Sequence, residues 1–155
     1  MKLVTFIDKN PFENRLALFP PSIKKLVNLG IEVLIPQDYG IGLELKDSVF
    51  QEAGAKTYAS EKEASEIGDF FVRVGAPNLE EISMLKPGSI HASFMDPFSN
   101  PKVLEDFNSN NISSVSFEMI PRTTLAQKMD FLSSQANLAG YVAVIKSADI
   151  LNKIF

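Results

Sequence analysis

Short apolar, β-branched segments alternate along the chain with segments whose apolar residues recur at helical spacing. The short segments predict six strands, at 2–7, 31–36, 55–59, 69–77, 89–94 and 112–120. The others predict helices at 20–30, 47–54, 60–68, 79–88 and 100–111, with one long final helix over 124–153. Because strands that alternate with short helices are typical of βαβ units, we expect an α/β fold with a mainly parallel sheet.

Residues that favour helix ends mark several of these boundaries. Pro20 and Pro21 open the first helix, since a proline in the first turn needs no amide partner, and Gly30 closes it as a C-cap. Asp47 is placed to cap the second helix, and Ser60 begins the third.

The chain stops on the apolar residue Phe155, directly after the last predicted helix. We therefore expect one piece of a larger protein. Its predicted parts are an N-terminal α/β domain at 1–122 and a loop with a long helix at 123–155.

Composition narrows the classes of function. The 15 lysines and arginines are scattered over a chain of net charge −4, so no basic stripe suits nucleic acid. The absence of cysteine excludes disulfides, a thiolate nucleophile and cysteine-bound metal. No signal peptide is predicted, and no apolar run approaches the ~20 residues of a membrane span. The only histidine, His91, lies among apolar residues and is predicted to be packed rather than catalytic.

One stretch, IPRTTLAQKMDFLSSQANLAGYVAV at 120–144, holds more donors and acceptors than core packing needs. On a helix, Gln127 and Asp130 share a face and Ser133 continues the row, while Arg122 folds back from before the helix. A cation, an amide, a carboxylate and a hydroxyl would then converge. Such a set suits a polar ligand that carries hydroxyls and a carboxamide.

The alternative for this stretch is a capped helix start. Thr123 or Thr124 would be the N-cap, and Gln127 would complete a capping box. That alternative explains the threonines and the glutamine but not the whole row of polar residues.

Two glycines, Gly40 and Gly42, form half of a dinucleotide-binding fingerprint. The fingerprint needs a third glycine three residues on, where this chain has Leu45. A turn that requires positive φ is the favoured interpretation.

Two arginines are further candidates. Arg15 follows the first strand, where α/β sheets bind ligands; it either clamps a carboxylate or pairs with Glu13, and composition favours the pair. Arg73 lies in an apolar strand, so it either reaches a ligand at the strand's end or meets a buried acid.

Four segments carry a resemblance to a known family: ENRLALFP (13–20), DYGIGLELKDSVFQEAGA (38–55), LKPG (85–88) and EMIPRTTLAQKMDFLSSQANLAGYVAV (118–144). They resemble the N-terminal region of the alanine dehydrogenase / nicotinamide nucleotide transhydrogenase family, and are more similar to its transhydrogenase α subunits than to its alanine dehydrogenases. The resemblance implies a Rossmann-like three-layer sandwich followed by a long C-terminal helix, truncated before the family's NAD-binding Rossmann domain.

The resemblance also implies roles for single residues. In the family, the loop from the Pro-Arg to the Met-Asp lies against bound NAD(H). Matched by position, it implies that Arg122, Gln127, Asp130 and Ser133 bind the cofactor. The family usually has Ser-Arg where this chain has Thr124-Leu125, so one arginine of the loop is missing.

Alanine dehydrogenases hold and protonate a keto acid with an arginine, a lysine and a histidine. By resemblance these roles fall on Arg15, Arg73 and about Asp96. Two of the three residue types differ, so we do not expect alanine dehydrogenase activity, and no residue is assigned a catalytic role.

The function that the resemblance implies is the N-terminal part of the NAD(H)-binding α subunit of a proton-translocating NAD(P) transhydrogenase, which transfers hydride between NADH and NADP⁺. NAD(H) would bind at a site shared with the missing domain and NADP(H) on a partner domain, with no metal. The expected partners are a second copy and the membrane-embedded and NADP-binding subunits, without nucleic acid. The expected location is cytoplasmic, peripheral to the inner membrane through the partner subunit. The fragment alone should be inactive.

Two other interpretations remain open. One is a non-catalytic module that dimerises through apolar positions of the final helix, at Leu132, Ala136, Ala139, Ala143 and Val144. The other is a fragment of an alanine dehydrogenase-like oxidoreductase.

Overall fold

A computed structural model of the protein describes residues 1–151. The chain forms two compact units, Met1–Ser116 and a second that begins at Phe117. This boundary lies a few residues before the predicted division between 122 and 123. The last two residues of the predicted final helix, and Phe155, lie outside the described residues.

The first unit is built on a six-stranded sheet. Its strands are β1 (Lys2–Thr5), β2 (Glu32–Pro36), β3 (Lys56–Tyr58), β4 (Phe70–Val72), β5 (Ile90–Ser93) and β6 (Ser113–Ser116). They lie in the order β3-β2-β1-β4-β5-β6, and each neighbouring pair is parallel, so the predicted parallel α/β fold is confirmed. The strand order reverses between β1 and β4, and the crevice beyond the strand ends at such a point is where α/β sheets bind ligands.

Helices cover both faces of this sheet. They are α1 (Pro20–Asn28), α2 (Asp47–Glu52), α3 (Glu61–Ile67), α4 (Leu79–Met84) and α5 (Lys102–Ser109). Helices α1 and α2 pack with Leu3 and Val33, whereas α3, α4 and α5 pack with Val4 and Leu34. Successive strand residues point to opposite faces, and because both faces are covered the neighbouring strands β1, β2 and β4 are mainly apolar. The three-layer sandwich is therefore confirmed.

Of the helix-end residues predicted in the first unit, Gly30 and Ser60 act as expected and Asp47 does not. Gly30 has φ of +79° just after α1, and the Ser60 side chain accepts the amide of Glu63 as the cap of α3. Asp47 is the first residue of α2 rather than its cap, because its Oδ2 accepts the amide of Asp38, 3.0 Å away, in the preceding loop.

The prediction that Gly40 and Gly42 require positive φ is wrong. Gly40 has φ of −97°, and Gly42 is not among the residues with positive φ in the described chain. A Cβ on Gly40 would lie 2.7 Å from Cβ of Leu45 and 2.8 Å from Cε2 of Phe50, and one on Gly42 would lie 3.2 Å from Oδ1 of Asn14. Close packing, rather than backbone conformation, therefore explains the glycine at position 40.

Strands β4 and β6 are shorter than predicted. Regular pairing of β4 ends at Val72, although the amide of Phe94 still bonds the carbonyl of Val74 at 2.9 Å. Strand β6 ends at Ser116, and a 3₁₀ turn at Phe117–Met119 replaces the rest of the predicted strand.

The second unit contains one long helix, α6 (Phe131–Ile150), and the predicted start at residue 124 is wrong. A 3₁₀ turn at Gln127–Met129 precedes it, and the amide of Met129 bonds the carbonyl of Ala126 at 2.8 Å. Such i-to-i+3 turns do not propagate as an α-helix. The helix begins only where Asp130 caps it.

Apolar residues lie on every side of helix α6, yet none of its residues is buried within the described chain. Its exposed large apolar residues are Phe131, Leu132, Leu138, Tyr141, Val142, Val144, Ile145 and Ile150. At its start, the ring of Phe131 stacks on that of Phe117 with centroids 4.4 Å apart. A helix that is hydrophobic all round is typical of one covered by other polypeptide.

Candidate functional site

Three of the four polar residues singled out in the second unit are bonded to one another. Nη2 of Arg122 donates to Oγ of Ser133 at 2.9 Å, and this hydroxyl donates to Oδ2 of Asp130 at 2.6 Å. Nε of Arg122 lies 3.5 Å from the same carboxylate oxygen. Each side chain restricts the other two, so a cation, a hydroxyl and a carboxylate form one group, the Arg122–Asp130–Ser133 cluster.

Asp130 has a second role as the N-cap of α6. Its Oδ1 accepts the amide of Ser133 at 2.9 Å, the bond expected of a capping carboxylate. The alternative cap at Thr123 or Thr124, with Gln127 in a capping box, is therefore wrong, because the helix begins only after Asp130.

Hydrogen bonds favour the ionised form of Asp130. The Ser133 hydroxyl, then the Ser133 amide and Arg122, lower the pKa of this carboxyl below its ordinary value. The side chain of Asp130 is 13% exposed and that of Arg122 is 66% exposed. The carboxylate is thus enclosed by its partners, while the guanidinium reaches the surface.

A groove of about 470 Å³ lies beside the cluster and is lined by Arg122, Thr123, Thr124, Gln127 and Asp130. Ser133 is not among the lining residues, so its hydroxyl acts on the groove through the two side chains that it bonds. Gln127 lies in the 3₁₀ turn rather than on α6, so the predicted helical face shared with Asp130 is wrong. Both residues nevertheless reach the same groove.

Thr123 and Thr124 also line the groove, although the sequence pattern suggests them only as alternative helix caps. Their position directly after Arg122 is the sequence feature that could have identified them as residues of the site. With Gln127 they give the groove neutral donors and acceptors, next to one cation and one anion. Such a surface can hold a polar molecule that carries hydroxyl and carboxamide groups.

In the first unit, Arg15 pairs with a neighbouring acid, as composition favoured. Its Nε donates to Oε1 of Glu13 at 2.8 Å, and its Nη2 contacts the other carboxylate oxygen. Hydrogen bonding to Arg15 lowers the pKa of Glu13, and the same pair raises the pKa of Arg15.

Arg73 meets a buried acid, the second of the two outcomes left open for it. Its Nη1 lies 2.9 Å from Oε1 of Glu81, and the side chains are 3% and 8% exposed. Nη2 of Arg73 is 4.0 Å from Oδ2 of Asp8, which also accepts the amide of Gly75 at 2.9 Å. Carboxylates of this chain therefore surround the arginine.

His91 is packed in the core, as predicted. Its ring lies 5.0 Å from that of Phe107, and burial, with the nearby charge of Arg73, lowers its pKa to about 3. Asp96, onto which the family's histidine falls, is exposed and has φ of 46°.

Two kinds of feature are absent from the described residues. Within residues 1–151, no helix is long and apolar enough to cross a membrane. Over the same range, no three histidine, aspartate or glutamate side chains are grouped as they would be around a metal ion.

Comparisons with known proteins agree on one family. The model described as "Alanine dehydrogenase/PNT, N-terminal domain" matches residues 7–139. The first part of NAD(P) transhydrogenase subunit alpha from Rhodospirillum rubrum is 35% identical over 153 residues, covering 96% of this chain and 40% of the relative. A solved transhydrogenase from Sinorhizobium meliloti matches with a TM-score of 0.90 at 34% identity, covering 97% of this chain and 45% of that one.

Alanine dehydrogenases match at lower identity. The one from Staphylococcus epidermidis is 26% identical over 141 residues, covering 91% of this chain and 37% of the relative. The chain spans less than half the length of each of these relatives. It belongs to the alanine dehydrogenase/PNT family as that family's N-terminal domain, with its greater similarity to the transhydrogenase α subunits.

Proposed function

We propose that this chain is the N-terminal part of the NAD(H)-binding α subunit of a proton-translocating NAD(P) transhydrogenase, in which hydride passes between NADH and NADP⁺. The relatives named transhydrogenase subunit alpha support the enzyme class. The observation that carries the proposal is the Arg122–Asp130–Ser133 cluster, which lies beside a polar groove.

The groups lining this groove fit the nicotinamide half of NAD(H). Gln127 offers both an amide donor and a carbonyl acceptor, which matches a carboxamide. The Asp130 carboxylate is charged and can accept ribose hydroxyls in addition to its present bonds, since each oxygen has two lone pairs. When bound, the nicotinamide supplies the hydride chemistry, and the protein supplies orientation and charge.

In this proposal the cluster orients the exposed guanidinium of Arg122. Ser133 is bonded to both other members, so it positions them instead of contacting the ligand directly. The two partners already hold the guanidinium in one orientation. Ligand binding therefore loses little further conformational entropy, which is the advantage of a preorganised site.

The nucleotide site is completed by another polypeptide segment. The groove is open, and its charged lining consists of one guanidinium and one carboxylate, so we expect the chain alone to bind NADH weakly. NADP(H) would bind on a partner domain. The partners would be a second copy of the chain and the membrane-embedded and NADP-binding subunits, which would hold the chain at the cytoplasmic face of the inner membrane.

Helix α6 has apolar residues on more than one side, which favours contact with more than one partner surface. The dimer interpretation uses a stripe through Leu132, Ala136, Ala139 and Ala143, with Val144 at its margin. Leu138, Tyr141, Val142 and Ile145 lie on the other side of the helix and are 48% to 67% exposed. A single partner helix on the stripe would leave these four in water, so dimerisation by that stripe alone is the weaker candidate.

An alanine dehydrogenase-like activity is also the weaker candidate. Arg15 and Arg73, which would hold a keto acid by resemblance, are each paired with a carboxylate of this chain. Pyruvate-dependent NADH oxidation by the protein would support that activity against this argument.

Two measurements test the proposal. Titration of the isolated chain with NADH, followed by cofactor fluorescence, should show weak or no binding, and micromolar affinity would mean that the groove is sufficient by itself. The other measurement assembles the chain with the nucleotide-binding domain and membrane subunits of a transhydrogenase and follows NADH-dependent reduction of NADP⁺.

In that assembly, Arg122→Gln should lower the rate by roughly tenfold or more, the effect of losing one charged hydrogen bond. The matched control is Lys128→Gln, which removes an exposed cation from the adjacent 3₁₀ turn without touching the groove lining. Equal effects of the two variants would refute the proposed role of the cluster, and no transfer by the wild-type assembly would refute the proposed function.

A further inference from the structure

A small cavity lies inside the first unit, on the side of the sheet that α3 and α4 cover. Its volume is about 10 Å³, and its polar lining residues are Glu61, Ser65, Arg73, Glu81 and His91. Phe6, Pro77, Met84 and Leu85 form the apolar remainder of the lining. The cavity belongs to the first unit and is independent of the groove described above.

The sheet register explains why two of these polar residues meet here. His91 on β5 is the cross-strand partner of Phe71 on β4. Arg73 follows Phe71 by two residues and therefore points to the same face as His91. The chain thus directs an imidazole and a guanidinium into one apolar layer.

Three nitrogen atoms of this pair have no protein partner. Within residues 1–151, nothing bonds Nδ1 or Nε2 of His91, or Nε of Arg73, and all three atoms are buried. A buried polar atom without a partner destabilises the fold, because it loses its hydrogen bond to water and gains none in return. Native proteins rarely leave several such atoms side by side, and they commonly satisfy them with an internal water.

We propose that this cavity binds one internal water molecule, which hydrogen-bonds the His91 ring and joins it to the Arg73–Glu81 pair. A volume near 10 Å³ is about the space that one water centre requires, and it is too small for any organic ligand. Water is the fitting ligand because it donates and accepts. A neutral imidazole offers one donor and one acceptor, a guanidinium N–H offers a donor, and a carboxylate offers an acceptor.

Because the chain has a single histidine, the His91 ring signals can be assigned directly. In the labelled chain at neutral pH, water-selective NOE and ROE spectra should show cross-peaks of opposite sign between the His91 ring protons and water. That pattern identifies a water that stays bound for longer than the molecule takes to tumble.

Hydroxyl protons that exchange with solvent would imitate this signal, so the controls are Ser65→Ala and Ser93→Ala. Ser65 lines the cavity, and Ser93 follows His91 by two residues on the same face of β5. Cross-peaks that persist in both variants support the internal water. Their absence in the wild-type chain, or their loss in either serine variant, overturns the proposal, as does an empty cavity in a high-resolution crystal structure.

Discussion

Nη1 of Arg73 donates to Oε1 of Glu81 at 2.9 Å, in a layer where both side chains are more than nine-tenths buried. Nζ of Lys9 lies 3.1 Å from the same oxygen, and the glutamate's other oxygen accepts the amide of Asn78 at 2.8 Å. These contacts lower the pKa of Glu81 although burial alone would raise it. One carboxylate therefore neutralises a buried cation and also caps α4.

Glu81→Ala should destabilise the first unit by about 3 kcal/mol, because it removes the carboxylate that is hydrogen-bonded to the buried guanidinium of Arg73 and leaves only Asp8, 4.0 Å away. Urea denaturation followed by far-UV circular dichroism measures the change. The matched control is Glu80→Ala, which removes an exposed carboxylate one residue earlier on the same helix. If both variants unfold at the same urea concentration, the pair is screened by solvent and the argument from burial fails. Should Glu81→Ala not fold, Glu81→Gln keeps the volume and tests the charge.

Stability of the first unit should fall as the pH drops below about 6.5, because of His91. Its pKa is about 3 in the folded chain against 6.5 for an ordinary histidine. Between those values the unfolded chain binds a proton that the folded chain does not bind. The free energy of unfolding therefore falls towards low pH, with a slope of about 1.4 kcal/mol per pH unit.

The cleanest window for this measurement is the upper end of that range, above the carboxyl titrations. The charged groups that act on His91 are Arg73 and Glu81, and the pKa of Glu81 lies below 4.5. His91→Gln cannot titrate, so urea midpoints of that variant should be flat from just below neutral pH to about pH 5. An equal slope in the variant and the wild-type chain would show that another group causes the loss.

The fold could be predicted from the sequence because local patterns and global packing agree. The apolar runs around Leu3, Val33 and Phe71 are strands that two layers cover, and continuous apolar character is what such strands need. Errors arose where a tertiary contact decided the local structure. Position 40 holds a glycine because Leu45 and Phe50 occupy the space that a Cβ would need, and a sequence gives no sign of that packing.

The sequence predicted that Arg122, Asp130 and Ser133 would come together, but it did not predict the geometry in which they meet. The prediction that these polar residues form a row on one face required an α-helix from residue 124. Instead, Gln127 lies in a 3₁₀ turn and the helix begins after Asp130. Aspartate is common both at helix caps and in charged binding sites. The residue type alone therefore does not show that Asp130 has both roles. The partner of Arg73 was equally open, since Glu81 is eight residues away and on another element.

Gly40→Ala should destabilise the first unit by about 1–3 kcal/mol, the cost of forcing an extra methyl group into a packed core. The added Cβ would lie within 2.8 Å of Leu45 and Phe50, and one of its contacts is the backbone oxygen of Leu45, which cannot move aside. Gly42→Ala is the control, because its nearest neighbour is the side chain of Asn14 at 3.2 Å, which can shift. Thermal denaturation of both variants compares them. A larger loss for Gly42→Ala would contradict the packing argument.

Two substitutions of Asp130 should distinguish its role as a helix cap from the role of its charge. Asp130→Asn keeps a side-chain oxygen for the Ser133 amide, whereas Asp130→Ala removes it. Amide hydrogen exchange at Ser133 and Ser134 should therefore be faster in the alanine variant and near wild type in the asparagine variant. Both variants remove the anion beside Arg122, so under the proposed function both should slow hydride transfer in the assembly. Normal transfer by Asp130→Asn would mean that capping is the only role of this residue.

Gly140→Ala should have opposite effects on the isolated chain and on the assembly. In the isolated chain, nothing lies within 4 Å of the added Cβ, so the substitution should stabilise α6 by about 0.5–1 kcal/mol through helix propensity. In the assembly, we expect another polypeptide to cover α6, and a small residue permits close approach of a neighbouring backbone. The variant should then bind its partners more weakly, as measured by light scattering after size-exclusion chromatography. Ser147→Ala, at another exposed position of the same helix, should raise helicity without this penalty. If Gly140→Ala assembles as well as Ser147→Ala, no close approach occurs at that glycine.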